Sequence, residues 1–583
     1  MRSPFAALLI AGLGLALACP PGLVYGEESG LGALGDYERQ AVEKVIENNG
    51  WRVASSPSGR EIEEVHVVTL PVFSRRDGDL LQWFNRLHAT TEPDVIRREV
   101  LLEPGDKWEG DKARETERNL RNPTFTSLAV VLPLERESDT KIDVLVVTRD
   151  IWSLRTNTDF EYQNGILSNL YVSASEHNLL GRHKSIGAAF EMDQGAFGFG
   201  PQYYDPNVLG THVQFYSQAR VEFERATGDF EGTSSDTQIA YPLWNLDRTW
   251  GADLQVTHAD EVVREFRENR LLPYDDPDTT TVETVPYRYR NRTFDAEGRV
   301  HYAIGEKVEH RFSAGWRFNL QEPELPPDFP RDAALREAFR RDVLPPRERN
   351  SGPLVGYYVF QPTWRTYRNI NTFDLPEEEQ VGPYLQLEGA PILETFGSLS
   401  NFVELTGTAG WLIDIVRDGY FWFGGSATTR LRGERPTDNY LYGFARLATP
   451  DAWRIARFVA RARADVYLRD RQNRLLFAGG QSGLRGFGIG AFAGEARFLG
   501  NVELRSMPLK AWFTRVGALL FWDVGHAAPS VEQLELTHDI GIGLRLLIPQ
   551  ANTVPARLDW AIPLDPRLPP FPGRISLGFG QIF

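Results

Sequence analysis

Cysteine and long apolar runs are almost missing from this sequence. Its one cysteine, Cys19, lies close to the N-terminus, so the rest of the chain must be stabilised without disulfides. A helical membrane protein needs about 20 consecutive apolar residues for each span, and no such run follows the N-terminal segment. The mean hydropathy of -0.34 suits a soluble protein, but it also suits a β-barrel, in which only alternate strand residues face lipid. Composition therefore excludes only a helical membrane bundle.

A basic excess is also missing. The chain has 79 acidic and 63 basic residues and a net charge of -16, without a basic stripe, so we expect no nucleic acid partner. No P-loop is present, and the spacing of Gly480-Gln481-Ser482-Gly483 differs from that of a lipase nucleophile. The histidines are scattered without the spacing of metal ligands. These observations predict a protein that is not an enzyme and that has no catalytic residues, cofactor or metal ion.

Residues 1–26 have the pattern of an export signal. Arg2 supplies the positive end, Phe5 to Ala18 form the apolar stretch, and Val24-Tyr25-Gly26 is an acceptable cleavage site. Cys19 follows a weak lipoprotein box, so lipidation of this cysteine is the alternative. The length of 583 residues favours two structural units.

The first predicted unit spans residues 59–150. It follows a linker, residues 27–58, with one short helix that Asp36 caps and Asn49-Gly50 ends. Within the unit, Thr91-Glu92-Pro93-Asp94 has the signature of a helix start, because it combines a hydroxyl cap, an early proline and a carboxylate. The predicted order is β-α-α-β-β, with a helix from this start and the other elements at Ile62–Val72, Asp111–Asn122, Phe125–Leu134 and Lys141–Arg149.

Apolar and polar residues alternate with a period of two from residue 151 to residue 583. In the run from Phe312 to Leu320, every second residue is apolar and the residues between are polar or glycine. This pattern predicts an all-β unit with one apolar face. A soluble β-sandwich has the same alternation, but aromatic residues near strand ends, such as Trp250 and Trp560, favour a transmembrane barrel.

Two stretches interrupt the alternation. Leu271–Val285 is acidic and rich in threonine, and Pro323–Pro346 is rich in proline and charge, with a helical run at Ala333–Arg341. Because the periplasmic turns of bacterial barrels are short, we predict that both stretches are long extracellular loops.

The last 110 residues or so contain the most specific motifs. Leu484-Arg485-Gly486-Phe487 lies in a glycine-rich stretch, Glu503 lies in Asn501–Arg505, and Asp523 lies in Phe521–Gly525. A guanidinium that points into a barrel needs a carboxylate partner with matching geometry. Phe579 and the final Phe583 are predicted to lie in a closing strand with an aromatic end.

Together these motifs resemble the BamA/TamA superfamily. Leu484-Arg485-Gly486-Phe487 resembles its V-R-G-[FY] lid motif, with leucine in place of valine, and the segments around Glu503 and Asp523 resemble two of its strand motifs. The segment from Thr91 and its β-α-α-β-β context resemble the POTRA domain of that superfamily, although a generic small α+β domain is the alternative. The resemblance covers about residues 60–583.

The resemblance implies a fold and a set of site residues. The expected fold is an α+β POTRA-type periplasmic domain followed by an all-β transmembrane barrel of about 16 antiparallel strands. A lid loop with Leu484, Arg485, Gly486 and Phe487 would enter the lumen, where Arg485 would meet the acidic wall residues. Further expected site residues are the acidic partners Glu503 and Asp523, the client-binding strand edge with Val65, Val67 and Thr69, and the assembly signal with Phe579 and Phe583.

The resemblance also implies a function. We expect insertion or translocation of other proteins at the bacterial outer membrane, with the N-terminal domain in the periplasm. The expected partners are unfolded outer-membrane or secreted proteins, outer-membrane lipid and accessory periplasmic proteins. Three alternatives remain: a dedicated two-partner secretion translocator, a passive barrel, and the membrane anchor of a lipase-like enzyme. Translocators of the first kind typically carry two POTRA domains, and only one is recognisable here. No lipase domain is recognisable before residue 60.

Overall fold

The computed structural model describes most of the chain after the N-terminal segment. The described residues are 34–583 except for 74–81, 84, 123, 138–139, 164, 268–269, 275–283, 416–417, 434, 452–453, 481, 550–552, 569–570 and 582. The predicted export signal at residues 1–26, with Cys19, lies outside the described residues. None of the described helices is long and apolar enough to cross a membrane.

A three-stranded sheet with helices on both faces forms the N-terminal unit. Its elements are α1 Asp36–Asn49, β1 Glu61–Leu70, α2 Pro93–Arg98, α3 Gly110–Leu120, β2 Thr126–Glu135 and β3 Lys141–Asp150. The spatial order is β1-β3-β2, with β1 parallel and β2 antiparallel to β3. From β1 to β3 the elements follow the predicted β-α-α-β-β order.

Each face of this sheet buries its own apolar cluster. Ile96, Leu102 and Leu120 pack on one face, and α1 packs through Val42 and Val45 on the other. Side chains of β2 and β3 alternate between the two clusters, which explains why these strands are nearly continuous runs of buried residues. The helix α1, which the sequence suggested was part of a linker, is therefore packed against the sheet.

Two predicted helix caps were wrong. Gly35, not Asp36, is the N-cap of α1. The carboxylate of Glu38 accepts a hydrogen bond from the Gly35 N–H at 3.0 Å. Glu92, not Thr91, caps α2. The Thr91 hydroxyl instead donates to the buried Asp150 carboxylate at 2.8 Å, and this tertiary contact replaces the local cap.

Among the described residues, the second unit consists of β-strands, short 3-10 helices and one further α-helix, α4 Ala333–Asp342. The strands are β4 Leu154–Gln163, β5 Ile166–Glu176, β6 Ser185–Met192, β7 Ala196–Asp205, β8 Gln214–Glu224, β9 Phe230–Tyr241, β10 Trp250–Arg264, β11 Phe266–Arg267, β12 Arg270–Leu271, β13 Pro273–Tyr274, β14 Val285–Pro286, β15 Arg288–Ile304, β16 Glu309–Glu324, β17 Glu348–Phe360, β18 Trp364–Tyr367, β19 Glu377–Gln380, β20 Gly382–Ile392, β21 Phe402–Ile415, β22 Gly419–Arg432, β23 Arg435–Ala448, β24 Ala456–Leu468, β25 Leu476–Ala478, β26 Phe492–Gly494, β27 Ala496–Ser506, β28 Leu509–Ala511, β29 Thr514–Ala528, β30 Thr537–Leu547, β31 Ala556–Pro563 and β32 Arg574–Phe579.

Most of these strands form one closed antiparallel barrel. Its members are β4–β10, β15–β17, β20–β24, β27 with the short β28, and β29–β32. The described residues thus contain twenty barrel strands, so the predicted number of 16 was wrong. That number came from the resemblance, and alternation over 433 residues does not fix it, because shorter connections allow more strands in the same length.

The connections differ in length at the two ends of the barrel. We call the end where β4 begins the unit end, because the N-terminal unit precedes it, and the opposite end the far end. Both predicted long loops connect strands at the far end, and α4 lies in the second of them. The segment 361–381, between β17 and β20, is a long connection at the unit end, where the sequence predicted only short turns.

The outer face of the barrel is apolar and the inner face is polar. On β29, Leu520 and Trp522 are exposed, whereas Phe521 and Asp523 are buried; on β30, Ile540 and other apolar residues are likewise exposed. This is the alternation that the sequence shows, with the apolar residues outside. A lipid-facing surface requires this arrangement.

Candidate functional site

The lid motif lies inside the barrel. Residues 479–489, which we call the lid loop, connect β25 to β26 and fold back from the far end. Leu484 and Phe487 are buried against the wall residue Leu499, and the Phe487 N–H donates to the Leu484 carbonyl at 3.1 Å. Gly483 has a φ of 103°, a conformation that favours glycine. The loop is therefore a compact turn fixed to the wall by apolar packing.

Arg485 projects from the lid loop into a group of wall carboxylates. Its Nε and Nη2 atoms donate to the two oxygens of Asp523, each at 2.8 Å, and its Nη1 donates to Glu503 at 2.7 Å. Asp559 lies 3.5 Å from the same Nη1, and the guanidinium carbon lies 3.4 Å from the centre of the Phe521 ring. The structure thus brings Arg485 together with both predicted acidic partners.

Asn501 connects the lid loop to the same wall. Its Nδ2 donates to the Gly483 carbonyl and to the Asp523 carboxylate, each at 2.8 Å. Asn501 and Asp523 are directly opposite each other on β27 and β29, so one side chain fixes both the loop backbone and the carboxylate that receives Arg485. This arrangement preorganises the acceptor, as bidentate guanidinium recognition requires.

Sequence reasoning missed more than half of this charge cluster. Besides Arg485, Glu503 and Asp523, the buried cluster contains Asp539, Asp559, Arg505, Arg545 and Arg557. Buried ions require partners, and each of the four guanidinium groups lies within 4 Å of the carboxylate of Glu503 or Asp559. A signal was available in the sequence, because these residues alternate with lipid-facing apolar residues, as in Leu558-Asp559-Trp560.

The barrel closes through an unusually short ladder. We call the junction of β32 with β4 the seam. It contains two residue pairs, Ser576 with Gln163 and Leu577 with Tyr162, whereas β31 and β32 share six pairs and β4 and β5 share ten. Towards the unit end, the edge of β4 from Leu154 to Phe160 pairs with no strand on that side among the described residues.

The ladder of the seam stops at Leu577 and Tyr162, where β4 has a register shift between Glu161 and Tyr162, and β32 itself ends two residues later at Phe579. Gly580, with a φ of 77°, turns the backbone, and Phe583 lies in the lumen, where Arg446 and Arg505 each donate to its main-chain oxygen at 3.3 Å. The prediction that Phe583 belongs to the closing strand was therefore wrong: the strand ends at Phe579, and luminal guanidinium groups bind the residues that follow. An assembly role for Phe579 and Phe583 stays a prediction.

The predicted client-binding edge lies on β1, an outer strand of the N-terminal sheet. Val65 and Val67 are half-buried and pack towards α2 and α3, and the Thr69 hydroxyl lies 3.4 Å from that of Thr148. On its outer side, β1 pairs only near Glu61 and Ile62, with residues 105–107, as far as the described residues go.

The opposite edge of this sheet is better covered. Val53 forms a bridge with Leu134 on the outer side of β2, and the Ala54 N–H donates to the Pro133 carbonyl at 2.9 Å. The carboxylate of Glu117 accepts from the Val131 N–H at 2.8 Å. Since these groups already occupy much of the hydrogen-bonding capacity of the outer edge of β2, the edge of β1 is the one more available for an added strand.

The N-terminal unit contacts the barrel through a buried polar group. Asp150 accepts from the Thr91 N–H and hydroxyl, and His183, in the turn between β5 and β6, lies 3.0 Å from that hydroxyl. The His183 ring stacks on Phe125 with centroids 4.5 Å apart, and Asn178 donates to the Ala89 carbonyl at 2.8 Å. Burial lowers the pKa of His183 from 6.5 to about 4 because desolvation disfavours the charged imidazolium.

Acid should therefore weaken the contact between the unit and the barrel. Below pH 6.5 a released His183 takes up a proton that the buried ring does not bind. Docking therefore loses free energy as the pH falls from 6.5 towards 4, up to roughly 3 kcal/mol. Spin labels on Lys44→Cys and Glu306→Cys should report a wider distance distribution at pH 4.5 than at pH 7.

Two histidine variants serve as controls for this measurement. His183→Gln should flatten the pH dependence of the distance. His177→Gln should retain it, because His177, whose pKa burial also lowers to about 4, contacts Ser185 of the barrel at 3.0 Å. An unchanged distance distribution between pH 7 and 4.5 in the otherwise unaltered protein would contradict the titration of His183.

Comparison with known proteins gives structural similarities only. No protein-family profile matches the chain, and no curated protein matches it. Among solved structures, it is similar to BamA from Haemophilus ducreyi lacking POTRA domains 1–3, with 12% identity and a TM-score of 0.36, over 90% of this chain and 84% of that one. It is also similar to CdiB from Acinetobacter baumannii and from Escherichia coli, each with 10% identity and a TM-score of 0.39, over 99% of this chain and 97% and 96% of theirs. At these values the likeness by itself assigns no function.

Proposed function

We propose that the protein is an outer-membrane assembly or translocation factor that receives unfolded client proteins and passes them into the membrane through its seam. The observation that carries this proposal is the seam itself, with two residue pairs beside the unpaired edge of β4. The unit end faces the periplasm in this proposal, and the far end faces the outside of the cell. The protein acts by binding its client and by opening, and no catalytic step is assigned to it.

The apolar outer face supports a membrane location. Exposed leucine, isoleucine, valine and tryptophan side chains alternate with buried polar residues along β29 and β30. Exposing such a continuous apolar surface to water would cost free energy, whereas lipid hydrocarbon is an apolar environment that matches it. Outer-membrane lipid is therefore one partner of the barrel.

The N-terminal unit supports the capture of an unfolded client. Its β1-β3-β2 sheet and the segment that begins at Thr91 fit a POTRA-type domain, and β1 has the more available edge. An extended peptide can add to such an edge through main-chain hydrogen bonds, so affinity does not require a particular sequence. Val65, Val67 and Thr69 belong to the strand that would receive the client.

The seam supports lateral release of the client into the membrane. A hydrogen bond contributes about 0.5–1.5 kcal/mol net, so separating two residue pairs costs far less than separating the ten pairs of β4 and β5. The edge from Leu154 to Phe160 can pair with the first client strand, and the folding of the client then provides the driving free energy. Accessory periplasmic proteins would bind the N-terminal unit in this scheme.

A translocator that exports a dedicated partner through the lumen is the second candidate. The lid loop lies in the lumen near the far end, and the segment 361–381 lies at the unit end. Export through the lumen would require both segments to move, whereas lateral release through the short seam leaves the lid loop in place. The geometry therefore favours insertion over export, and it favours both over a passive barrel.

A disulfide across the seam tests this proposal. Tyr162→Cys with Leu577→Cys joins residues that are directly opposite each other on β4 and β32. We expect the oxidised protein in liposomes to lose its ability to assemble a urea-denatured eight-stranded outer-membrane protein, measured as heat-modifiable gel mobility. Reduction should restore assembly.

The matched control uses the same Tyr162→Cys change with Leu167→Cys, because Leu167 is opposite Tyr162 on the other side of β4. This disulfide leaves the seam free, so assembly should continue in the oxidised state. Full assembly activity with the seam disulfide closed would rule out lateral release.

A further inference from the structure

The segment 361–381, which we call the inner segment, is longer than its connection requires. It joins β17 to β20, which pair directly with each other up to Phe360 and Tyr384, so a tight turn of a few residues would suffice. Instead, β18 and β19 form a separate two-stranded sheet that pairs with no barrel strand among the described residues. The residues between these two strands extend along the inner wall.

Wall arginines bind oxygen atoms of the inner segment. Arg505 donates to the Ile370 carbonyl at 2.7 Å and Arg457 to the Arg368 carbonyl at 3.3 Å. Arg446 donates to the Asn371 amide oxygen at 2.6 Å. Two of these three acceptors are main-chain carbonyls, which every polypeptide possesses. A fourth wall arginine, Arg515, pairs with the side-chain carboxylate of Asp374 in the same segment.

The same region of the wall binds the residues after β32. Arg446 and Arg505 also donate to the Phe583 main-chain oxygen, and Arg545 donates to the Gln581 side-chain oxygen at 3.0 Å. We call these arginines and their neighbours the arginine belt. Its members lie on the five adjacent strands β23, β24, β27, β29 and β30, near the unit end, and are Arg446, Arg457, Arg461, Arg505, Arg515 and Arg545.

We propose that the arginine belt is a binding site for extended polypeptide, recognised through its carbonyl oxygens, and that the inner segment occupies this site until a client displaces it. Guanidinium groups provide five N–H donors each and cannot accept, so a belt of them matches the acceptors of a main chain without reading side chains. The Arg461 guanidinium has no hydrogen bond or ion pair with any described side chain, and its carbon lies 5.9 Å from the centre of the Phe583 ring. The belt thus has capacity beyond its present occupants.

The inner segment is also attached to the N-terminal unit. Arg368 pairs with the buried Glu38 of α1 at 2.5 Å, and Arg121 pairs with Glu378. The Arg118 guanidinium stacks on the Trp364 ring at 3.8 Å. A client that moves the N-terminal unit would therefore also move the inner segment, which couples capture outside the barrel to exposure of the belt inside it.

This inference rests on the proposed function only for the identity of the natural ligand, an extended client. Its test therefore uses a defined peptide and needs no client. The first variant replaces residues 362–381 with an Asn-Gly turn between β17 and β20. In planar lipid bilayers we expect this variant to show a larger and steadier conductance than the unaltered protein.

The probe is a synthetic peptide with the sequence of residues 361–381, added on the side of the N-terminal unit. It should block the conductance of the deletion variant. The blocking concentration of a scrambled peptide should be within about tenfold of that of the original peptide, because carbonyl groups are common to both. Adding Arg446→Gln and Arg457→Gln should weaken block by more than about tenfold. Arg299→Gln is the matched control, because Arg299 pairs with Glu388 on another part of the inner wall, and block should persist.

Block that is unaffected by Arg446→Gln and Arg457→Gln, or a deletion variant with unchanged conductance, would overturn the proposal. If the deletion variant does not fold, Thr372→Cys with Thr553→Cys provides the second measurement, since the Thr372 hydroxyl lies 2.6 Å from the Thr553 carbonyl. Oxidation should fix the inner segment and abolish conductance fluctuations, and reduction should restore them; equal fluctuations in both states would also overturn the proposal. Peptide block can fail while seam-dependent assembly persists, so the belt proposal and the proposed function can be refuted independently.

Discussion

Arg485→Ala should destabilise the folded barrel by about 3–5 kcal/mol, the usual cost of removing one partner from a buried ion pair. Arg485 is 1% exposed, and the substitution would leave Asp523, Glu503 and Asp559 facing one another without the cation between them. These carboxylates have no access to water, because they are buried on the wall strands β27, β29 and β31. The free energy of unfolding in urea, followed by tryptophan fluorescence in lipid, measures the loss.

Arg485→Lys should recover little of this stability. A lysine ammonium keeps the charge, but it cannot form the two parallel hydrogen bonds to Asp523 together with the one to Glu503. Arg567→Ala is the control, because Arg567 also forms a pair with a carboxylate, Asp565, but at an exposed position. It should leave the urea midpoint unchanged. Equal midpoints for Arg485→Ala and the unaltered protein would mean that the lid loop is not held by this cluster.

The sequence predicted the partners of Arg485 but not the strength of the pairing. In a water-filled lumen, removing one partner of the ion pair would cost a free energy between the values for an exposed and a buried pair. The structure encloses Arg485 between the Phe521 ring and three carboxylates. Local sequence does not reveal this enclosure, because it depends on how the lid loop fills the space between opposite walls.

The predictable part of the fold is the part with local periodicity. Alternation locates a strand such as β29 and separates its buried Asp523 from its exposed Trp522, and the short helical patterns locate α2 and α3 within a few residues. The number of strands was not predictable, because each added hairpin leaves the same alternation. The length of the ladder at the seam was not predictable either, because it depends on where β4 and β32 stop pairing with each other.

The inner segment shows why connections resist prediction. Its residues have no apolar periodicity, and its path depends on contacts with distant parts of the chain, such as those of Arg368 with Glu38 and of Ile370 with Arg505. The belt arginines were individually visible in alternating strands, as was Arg461 in the run from Phe458 to Leu468. Their shared position around the inner segment depends on how five strands and one connection come together in the fold, which no local pattern encodes.

Gly486→Ala should also release the lid loop, for a steric reason. A Cβ atom on Gly486 would lie 2.5 Å from the Cβ of Asp539 and 3.1 Å from the backbone nitrogen of Pro563. The φ of Gly486 lies outside the left-handed region, so alanine itself fits the local backbone. The wall strands cannot withdraw because their ladders hold them, so the loop must move instead, and overpacking of this kind costs about 1–3 kcal/mol.

A displaced Gly486 also moves Arg485, so the total loss of stability should approach that of Arg485→Ala. The double variant should cost little more than the larger single change, because both remove the same contact and coupled sites are not additive. Gly443→Ala is the matched control, since a Cβ there has no neighbour closer than 3.8 Å, and its urea midpoint should stay near that of the unaltered protein. If Gly486→Ala is as stable as Gly443→Ala, or if its effect simply adds to that of Arg485→Ala, the lid loop does not seat against Asp539 as described.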